Sequence, residues 1–145
     1  MCFFRGSIEA KNAKGRTPLR LATYGDHPET VTELAQLGAN LNGLADDSYS
    51  GTALHRAVYF HKRNLIETLL GLGADISGQD NYQRSPLFTP RRAGHNNIID
   101  LLISNSADVN FKDEVDETPL LEVVAMGKLE VIRRILGAHT IDVNE

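Results

Sequence analysis

The sequence predicts an all-α repeat solenoid of about four units, and three observations carry that expectation. A phrase of the Thr-Pro-Leu type is written four times, as Thr17-Pro18-Leu19, Thr52-Ala53-Leu54-His55, Ser85-Pro86-Leu87 and Thr118-Pro119-Leu120, at spacings of 35, 33 and 33 residues. A closing phrase follows 22 residues on in the first three copies, as Ala39-Asn40-Leu41-Asn42, Ala74-Asp75-Ile76-Ser77 and Ala107-Asp108-Val109-Asn110, and comes one residue late in the fourth, at Asp142-Val143-Asn144. Between the phrases, apolar residues recur at helical spacing: Val31, Leu34 and Leu37, then Leu65, Ile66, Leu69 and Leu70, then Ile98, Ile99, Leu101 and Leu102, then Val131, Ile132, Ile135 and Leu136. Such an array builds one continuous core from units that cannot bury their apolar faces alone.

Each unit opens where a hydroxyl can cap a helix and a proline can occupy its first turn without losing a needed amide hydrogen. Thr17, Ser85 and Thr118 with their prolines meet both conditions, and Thr52 keeps the cap without the proline. First helices are expected over 18–24, 53–60, 86–92 and 119–126, and second helices over 28–37, 64–72, 97–104 and 129–136. The second helices carry the stacking residues. Ala22 and Ala57 leave room for a close neighbour, and Gly38 and Gly73 suit the left-handed turn that ends a helix. In the third unit Pro90 removes the bond to the carbonyl of Pro86 and clashes with it, so that helix should be short or distorted. The same unit has Ser106 where others have Gly, and it should be the least stable.

A period near 33 with this punctuation resembles the ankyrin repeat, a β-hairpin or turn followed by two antiparallel helices. The resemblance covers nearly the whole chain. It divides the single domain 1–145 into repeats at 12–46, 47–79, 80–112 and 113–145, with 1–11 as the tail of a preceding repeat. It implies that Asn12, Asp47, Asp80 and Asp113 close the hairpins, in keeping with the turn chemistry of Asp and Asn. The connector from Asn42 to Ser50 is two residues longer, so its loop should bulge. His55 ends the Thr-Pro-Leu-His phrase, where the ring is expected to bond backbone and the opening Thr, while Arg56 takes a place that is usually apolar. With no capping helix visible at either end, the chain is expected to be a segment of a longer protein; the other reading is that its apolar ends find partners, including a second copy.

Composition narrows the function. A net charge of −4 over 145 residues argues against a general nucleic-acid or anionic-membrane binder. No apolar stretch approaches the roughly 20 residues of a spanning helix, and Met1-Cys2-Phe3-Phe4-Arg5 is too short for a secretory signal. Cys2 is the only cysteine, so no internal disulfide or Cys-based zinc site can form, and an intracellular, cytoplasmic setting is expected. No phosphate loop, paired catalytic carboxylates, nucleophile elbow or Cys/His cluster appears. Of the five histidines, His55, His27 and His95 find structural places in the repeat, and His61 lies in the turn between helices. No catalysis, cofactor or metal is expected.

The resemblance implies binding through the hairpin tips and the inner face of the first helices. Carried over residue by residue, that surface comprises Lys14, Arg16 and Tyr24 in the first unit, and Tyr49, Gly51, Tyr59 and Phe60 in the second. The third contributes Tyr82, Arg84 and Arg92, and the fourth Glu114, Glu117 and Met126. All four tyrosines fall on it, and Tyr and Arg are the types that dominate interface energetics. Lys14, Arg16, Arg84, Arg91 and Arg92 make the first three units basic along this line, whereas Glu114, Asp116 and Glu117 make the last hairpin acidic. The expected function is a non-catalytic module that grips a partner protein in its groove, within a larger scaffold or effector. The alternative is a self-contained inhibitor that occludes an enzyme.

Overall fold

The computed structural model describes residues 8–45, 51–88 and 96–139. The elements in chain order are α1 (Pro18–Tyr24), α2 (Pro28–Gln36), α3 (Ala53–Tyr59), α4 (Arg63–Gly71), a 3-10 turn (Pro86–Phe88), α5 (Asn96–Ser104), α6 (Pro119–Ala125) and α7 (Leu129–His139). No strand occurs among the described residues. The hairpins are therefore turns, each closed by a single pair of backbone bonds rather than by a ladder.

Helices start where the hydroxyls predict. The Oγ1 atoms of Thr17, Thr52 and Thr118 accept the backbone N–H of Arg20, His55 and Leu121 at 3.3, 3.4 and 3.3 Å, each satisfying one donor that the first turn leaves open. Ser85 breaks this pattern. The expected helix over 86–92 is a 3-10 turn at Pro86–Phe88, with the rest of that span outside the described residues. Phe88 donates to the Ser85 carbonyl at 3.0 Å, and the buried Ser85 hydroxyl is left without a hydrogen bond among the described residues. With Pro90 lacking an amide hydrogen, the bond that would continue an α-helix from Pro86 cannot form, and the tighter turn satisfies what it can. In the fourth unit, α7 runs to His139, past the expected end at 136, and so takes up part of the extra length before the late closing phrase.

Packing follows the repeat. Within units α1 lies on α2, α3 on α4 and α6 on α7; between units α1 meets α3, α2 meets α4, and α5 meets α7, with the 3-10 turn touching both α3 and α6. Leu65, Ile66, Leu69, Ile98 and Leu102 are fully buried, and each such side chain contributes about 1.5–3 kcal/mol. Ala22 and Ala57 are buried where α1 and α3 approach their neighbours. The face of the fourth unit is different. Leu121 and Val124, equivalent to the buried His55 and Val58, are 54% and 52% exposed, and Leu136 is 46% exposed.

Three turn positions need a left-handed backbone in successive units, and the sequence fills them unevenly. After the second helices stand Gly38 (φ +94°), Gly73 (φ +90°) and Ser106 (φ +67°); between the helices stand Asp26, His61 and Gly127; at the hairpin tips stand Gly15, Gln83 and Asp116. Nothing lies within 4 Å of where a Cβ on Gly38 or Gly73 would sit, so glycine is favoured there by backbone conformation and not by space.

Neighbouring units are latched through backbone carbonyls. Arg20 Nη1 donates to the carbonyl of Gly51 at 2.8 Å, and His55 Nε2 lies 2.8 Å from the carbonyl of Arg84. In both cases the fourth residue of one phrase reaches the residue just before the next phrase. A carbonyl can only accept, so the His55 proton sits on Nε2, and Nδ1 accepts from the Thr52 backbone N–H at 3.2 Å and lies 2.9 Å from its hydroxyl. The expected role of His55 is thus observed. The third and fourth copies have Phe88 and Leu121 in this place, which cannot donate.

Two outcomes follow from these geometries. Ser106→Gly should raise stability by about 1 kcal/mol, because it releases the cost of a left-handed non-glycine residue; the midpoint of chemical denaturation reads it. Burial lowers the pKa of His55 from 6.5, outweighing the Arg84 carbonyl and Asp80, which raise it, while Arg20 adds to the lowering. The unfolded chain then binds the extra proton first, so this contribution is full above pH 6.5 and is lost as the pH falls from there toward the folded value. His55→Gln should flatten that part of the stability curve, measured as the difference between the two chains.

Candidate functional site

The hairpin tips are set by one carboxylate or amide oxygen apiece. Asn12 Oδ1 accepts the N–H groups of Lys14 and Arg16 at 2.9 and 3.1 Å, Asp80 Oδ1 those of Tyr82 and Arg84 at 2.8 and 2.9 Å, and Asp113 Oδ1 those of Val115 and Glu117 at 3.0 and 2.9 Å. Backbone pairs Asn12 to Arg16, Asp80 to Arg84 and Asp113 to Glu117 close the same turns at 2.9–3.0 Å. In the second unit Ala45 pairs with Gly51 at 3.3 Å, so the closing pair encloses two more residues, as the longer connector predicts. Asp47 lies outside the described residues. Consecutive tips touch where Glu114 N–H donates to the Tyr82 carbonyl at 3.3 Å.

This scaffold presents several predicted residues outward. Lys14, Tyr82, Glu114 and Glu117 are exposed at the tips, with Tyr82 54% exposed. Phe60 and Met126 cap the C-terminal ends of α3 and α6 and are 47% and 38% exposed. Arg16, Tyr24 and Tyr59 are half-buried on the same side. Tyr49, Arg91 and Arg92 lie outside the described residues. Gly51 does not belong to the surface: it is buried, and its carbonyl accepts from Arg20 and Ala45.

Arg84 has a structural task that its sequence position did not show. Its Nε donates to Asp113 Oδ2 at 3.2 Å, its carbonyl accepts from His55, and its guanidinium lies 5.5 Å from the Tyr82 ring centroid. The Asp113 side chain is 1% exposed and that of Arg84 28%. Burial alone would raise the Asp113 pKa, but the N–H groups of Val115 and Glu117 together with Arg84 hold it below the usual carboxylate range. Arg84 is therefore a strut between the second, third and fourth units that keeps one edge toward solvent.

The first two units bring together a cluster that the sequence did not reveal. The Arg56 guanidinium carbon lies 3.1 Å from the Tyr24 ring centroid and 4.5 Å from that of Phe60, and Arg16 lies 4.1 Å from Tyr24. Tyr59 meets Phe60 edge-on, with centroids 4.9 Å apart and rings inclined at 70°. Each stacked cation contributes about 0.5–2 kcal/mol, more as water is excluded. The available signal was Arg56 itself, a charge in a usually apolar place and four residues before Phe60, the spacing that lets side chains on a helix meet. Its other ring partner, Tyr24, belongs to the preceding unit.

Among the described residues, other titratable groups form no centre. His61 lines a shallow open depression with Asp26, Glu29 and Lys62, and Lys62 pairs with Asp26 at 3.0 Å. Both partners are about 40% exposed, so the pair contributes little. Among the described residues no group of three or more His, Cys, Asp or Glu is placed to hold a metal. No described helix is long and apolar enough to cross a membrane.

A family model described as ankyrin repeats in three copies matches residues 3–80 and 62–145. The chain belongs to the ankyrin-repeat family. Ankyrin repeats are generally protein–protein interaction modules and typically non-catalytic. The chain is 34% identical over 89 residues to a probable E3 ubiquitin-protein ligase of Oryza sativa subsp. japonica, an alignment covering 61% of this chain and 17% of the relative. It is 38% identical over 63 residues to a putative ankyrin repeat protein of Rickettsia felis, covering 43% and 16%. It is 32% identical over 95 residues to the neurogenic locus Notch protein of Drosophila melanogaster, covering 55% and 4%. The chain thus spans less than a fifth of the length of each of these relatives.

Proposed function

We propose that this ankyrin-repeat chain grips a partner protein across its hairpin tips and the exposed side of its first helices, without catalysis, as the recognition segment of a larger intracellular scaffold or effector. The observation that supports this reading is the separation of side-chain types. The large fully buried side chains are Leu, Ile and Val with Pro86 and Pro119, and although Phe88 and Arg20 are buried, Tyr24, Tyr59, Phe60 and Tyr82 stand partly or largely exposed beside Arg16, Arg56 and Arg84. A stable core does not require aromatic and guanidinium groups at the surface; a protein interface uses both, because they combine contact area with polar reach.

A second reading, self-association, rests on the outer face of the fourth unit, where Leu121 and Val124 are exposed at places that are buried in the second unit, His55 and Val58. The two readings are tested separately.

Affinity capture from native extract, followed by titration of the captured protein against the chain, tests the first. Tyr59→Ala with Tyr82→Ala should leave the fold intact and weaken binding by more than about 2 kcal/mol, roughly thirtyfold in Kd. Unchanged affinity would remove this surface from the function. For the second, light scattering across a wide concentration range should show a mass that rises with concentration and falls back in Leu121→Glu; a constant monomer mass dismisses self-association.

A further inference from the structure

Two adjoining hairpin tips carry an apolar pair in an acidic setting. Tyr82 and Val115 hold the same place in the third and fourth tips, two residues after Asp80 and Asp113, and are 54% and 64% exposed. The Tyr82 carbonyl accepts the Glu114 N–H at 3.3 Å, so the backbones of the two tips are joined. Each tip is also fixed internally by the side chain of its Asp, and Arg84 spans the two units through its bond to Asp113 Oδ2 at 3.2 Å. A platform held in this way loses little freedom when a ligand covers it.

A single exposed apolar side chain is ordinary, but two on joined tips are neighbours on one surface. Glu114, Asp116 and Glu117 are exposed around Val115. Among the described residues, no hydrogen bond or ion pair engages the side chains of Glu114 and Glu117. Of the cations at these tips, Arg84 is held by Asp113, and Lys112 lies 3.4 Å from Asp116 in an exposed pair that contributes little. The charge left to meet a ligand here is negative.

Resting on the protein-binding reading above, we propose that the third and fourth tips form a docking surface for a short segment of the partner protein in which an aliphatic residue stands between basic ones. The aliphatic side chain lies against Tyr82 and Val115, and the Lys or Arg side chains meet Glu114 and Glu117. The surface imposes both requirements. An apolar segment alone would desolvate carboxylates without pairing them, and a purely polybasic one would bury Tyr82 and Val115 under hydrated charge. The first tip has Lys14 in the place of Tyr82 and Val115, and Arg16 in the place of Arg84 and Glu117, so it repels the same segment. That repulsion confines the segment to the last two tips.

The test uses the whole chain and end-blocked fluorescent peptides of equal length, titrated by anisotropy. The first has Leu between Arg and Lys residues, the second has Gln for every basic residue, and the third keeps the basic residues with Ser for Leu. The first should bind about tenfold more tightly than either of the others. Glu114→Gln with Glu117→Gln should remove most of the preference over the Gln peptide, and Val115→Ser most of that over the Ser peptide. The thermal midpoint should not move, because these three side chains are exposed. Lys14→Gln, at the distant first tip, should leave the affinity within about twofold. No saturable binding of the first peptide, equal affinity for it and the Gln peptide, equal affinity for it and the Ser peptide, or preferences that survive the changes at Glu114, Glu117 and Val115 would each overturn the proposal. The protein-binding reading has its own control: a captured partner that is lost with Tyr59→Ala and Tyr82→Ala but retained by Val115→Ser combined with Glu114→Gln and Glu117→Gln keeps that reading and rejects this docking segment alone.

Discussion

The first unit of this chain is joined to the second, and the second to the third, by a side chain that donates to a backbone carbonyl, Arg20 to Gly51 and His55 to Arg84, and the start of each following unit is set by those bonds. Both acceptors lie immediately before the residue that opens the next phrase, Thr52 or Ser85, so one bond fixes the start of the next unit against the body of the previous one. The net contribution of such a bond is only about 0.5–1.5 kcal/mol, but a buried carbonyl left without a donor costs about 1–3 kcal/mol. The latch therefore acts more by excluding wrong registers than by adding stability. Apolar burial contributes more, since each stacked unit adds several side chains worth about 1.5–3 kcal/mol apiece.

Arg84 shows how this arrangement spreads. Its carbonyl serves the second unit, its guanidinium serves Asp113 in the fourth, and its own N–H is held by Asp80 in the third. One residue thus ties three units together through groups that do not compete. Asp113 in turn is fully engaged, with Oδ1 on two backbone N–H groups and Oδ2 on Arg84, which is why its charge persists in spite of burial. The third unit bears more of the strain than its neighbours. Among the described residues its Ser85 hydroxyl has no hydrogen bond, Pro86–Phe88 form a 3-10 turn, Phe88 cannot make the latch, and Ser106 holds a left-handed backbone that Gly38 and Gly73 hold without penalty. Arg84 and Asp113 bridge the stack across this weaker unit.

The surface draws on the same logic of neighbours. Arg56 is a poor residue for an isolated helix face that is usually apolar, and it is accommodated because Tyr24 from the preceding unit and Phe60 from its own flank it. The cluster joins side chains of two units, so it forms only when the first two repeats are in register. The basic first units and the acidic last hairpin give this side of the stack an uneven charge along its length.

The sequence alone determined the capping threonines, the left-handed Gly38 and Gly73, the hairpin-closing Asn12, Asp80 and Asp113, the place of His55 and most of the stacking aliphatics, although Leu37 and Leu136, expected in the core, are 68% and 46% exposed. These features rest on chemistry between residues a few positions apart, or on a pattern that repeats in phase, and both are legible in one dimension. Tertiary structure alone decided that Arg84 is a strut, that Gly51 is buried beneath Arg20, that Pro86–Phe88 take the form of a 3-10 turn, and that Arg56 lies against Tyr24 rather than being misplaced. Arg20 and Gly51 are separated by 31 residues, His55 and Arg84 by 29, and Arg84 and Asp113 by 29. At such separations no local propensity selects the partner, and only the stacking of one unit on the next brings the groups within reach.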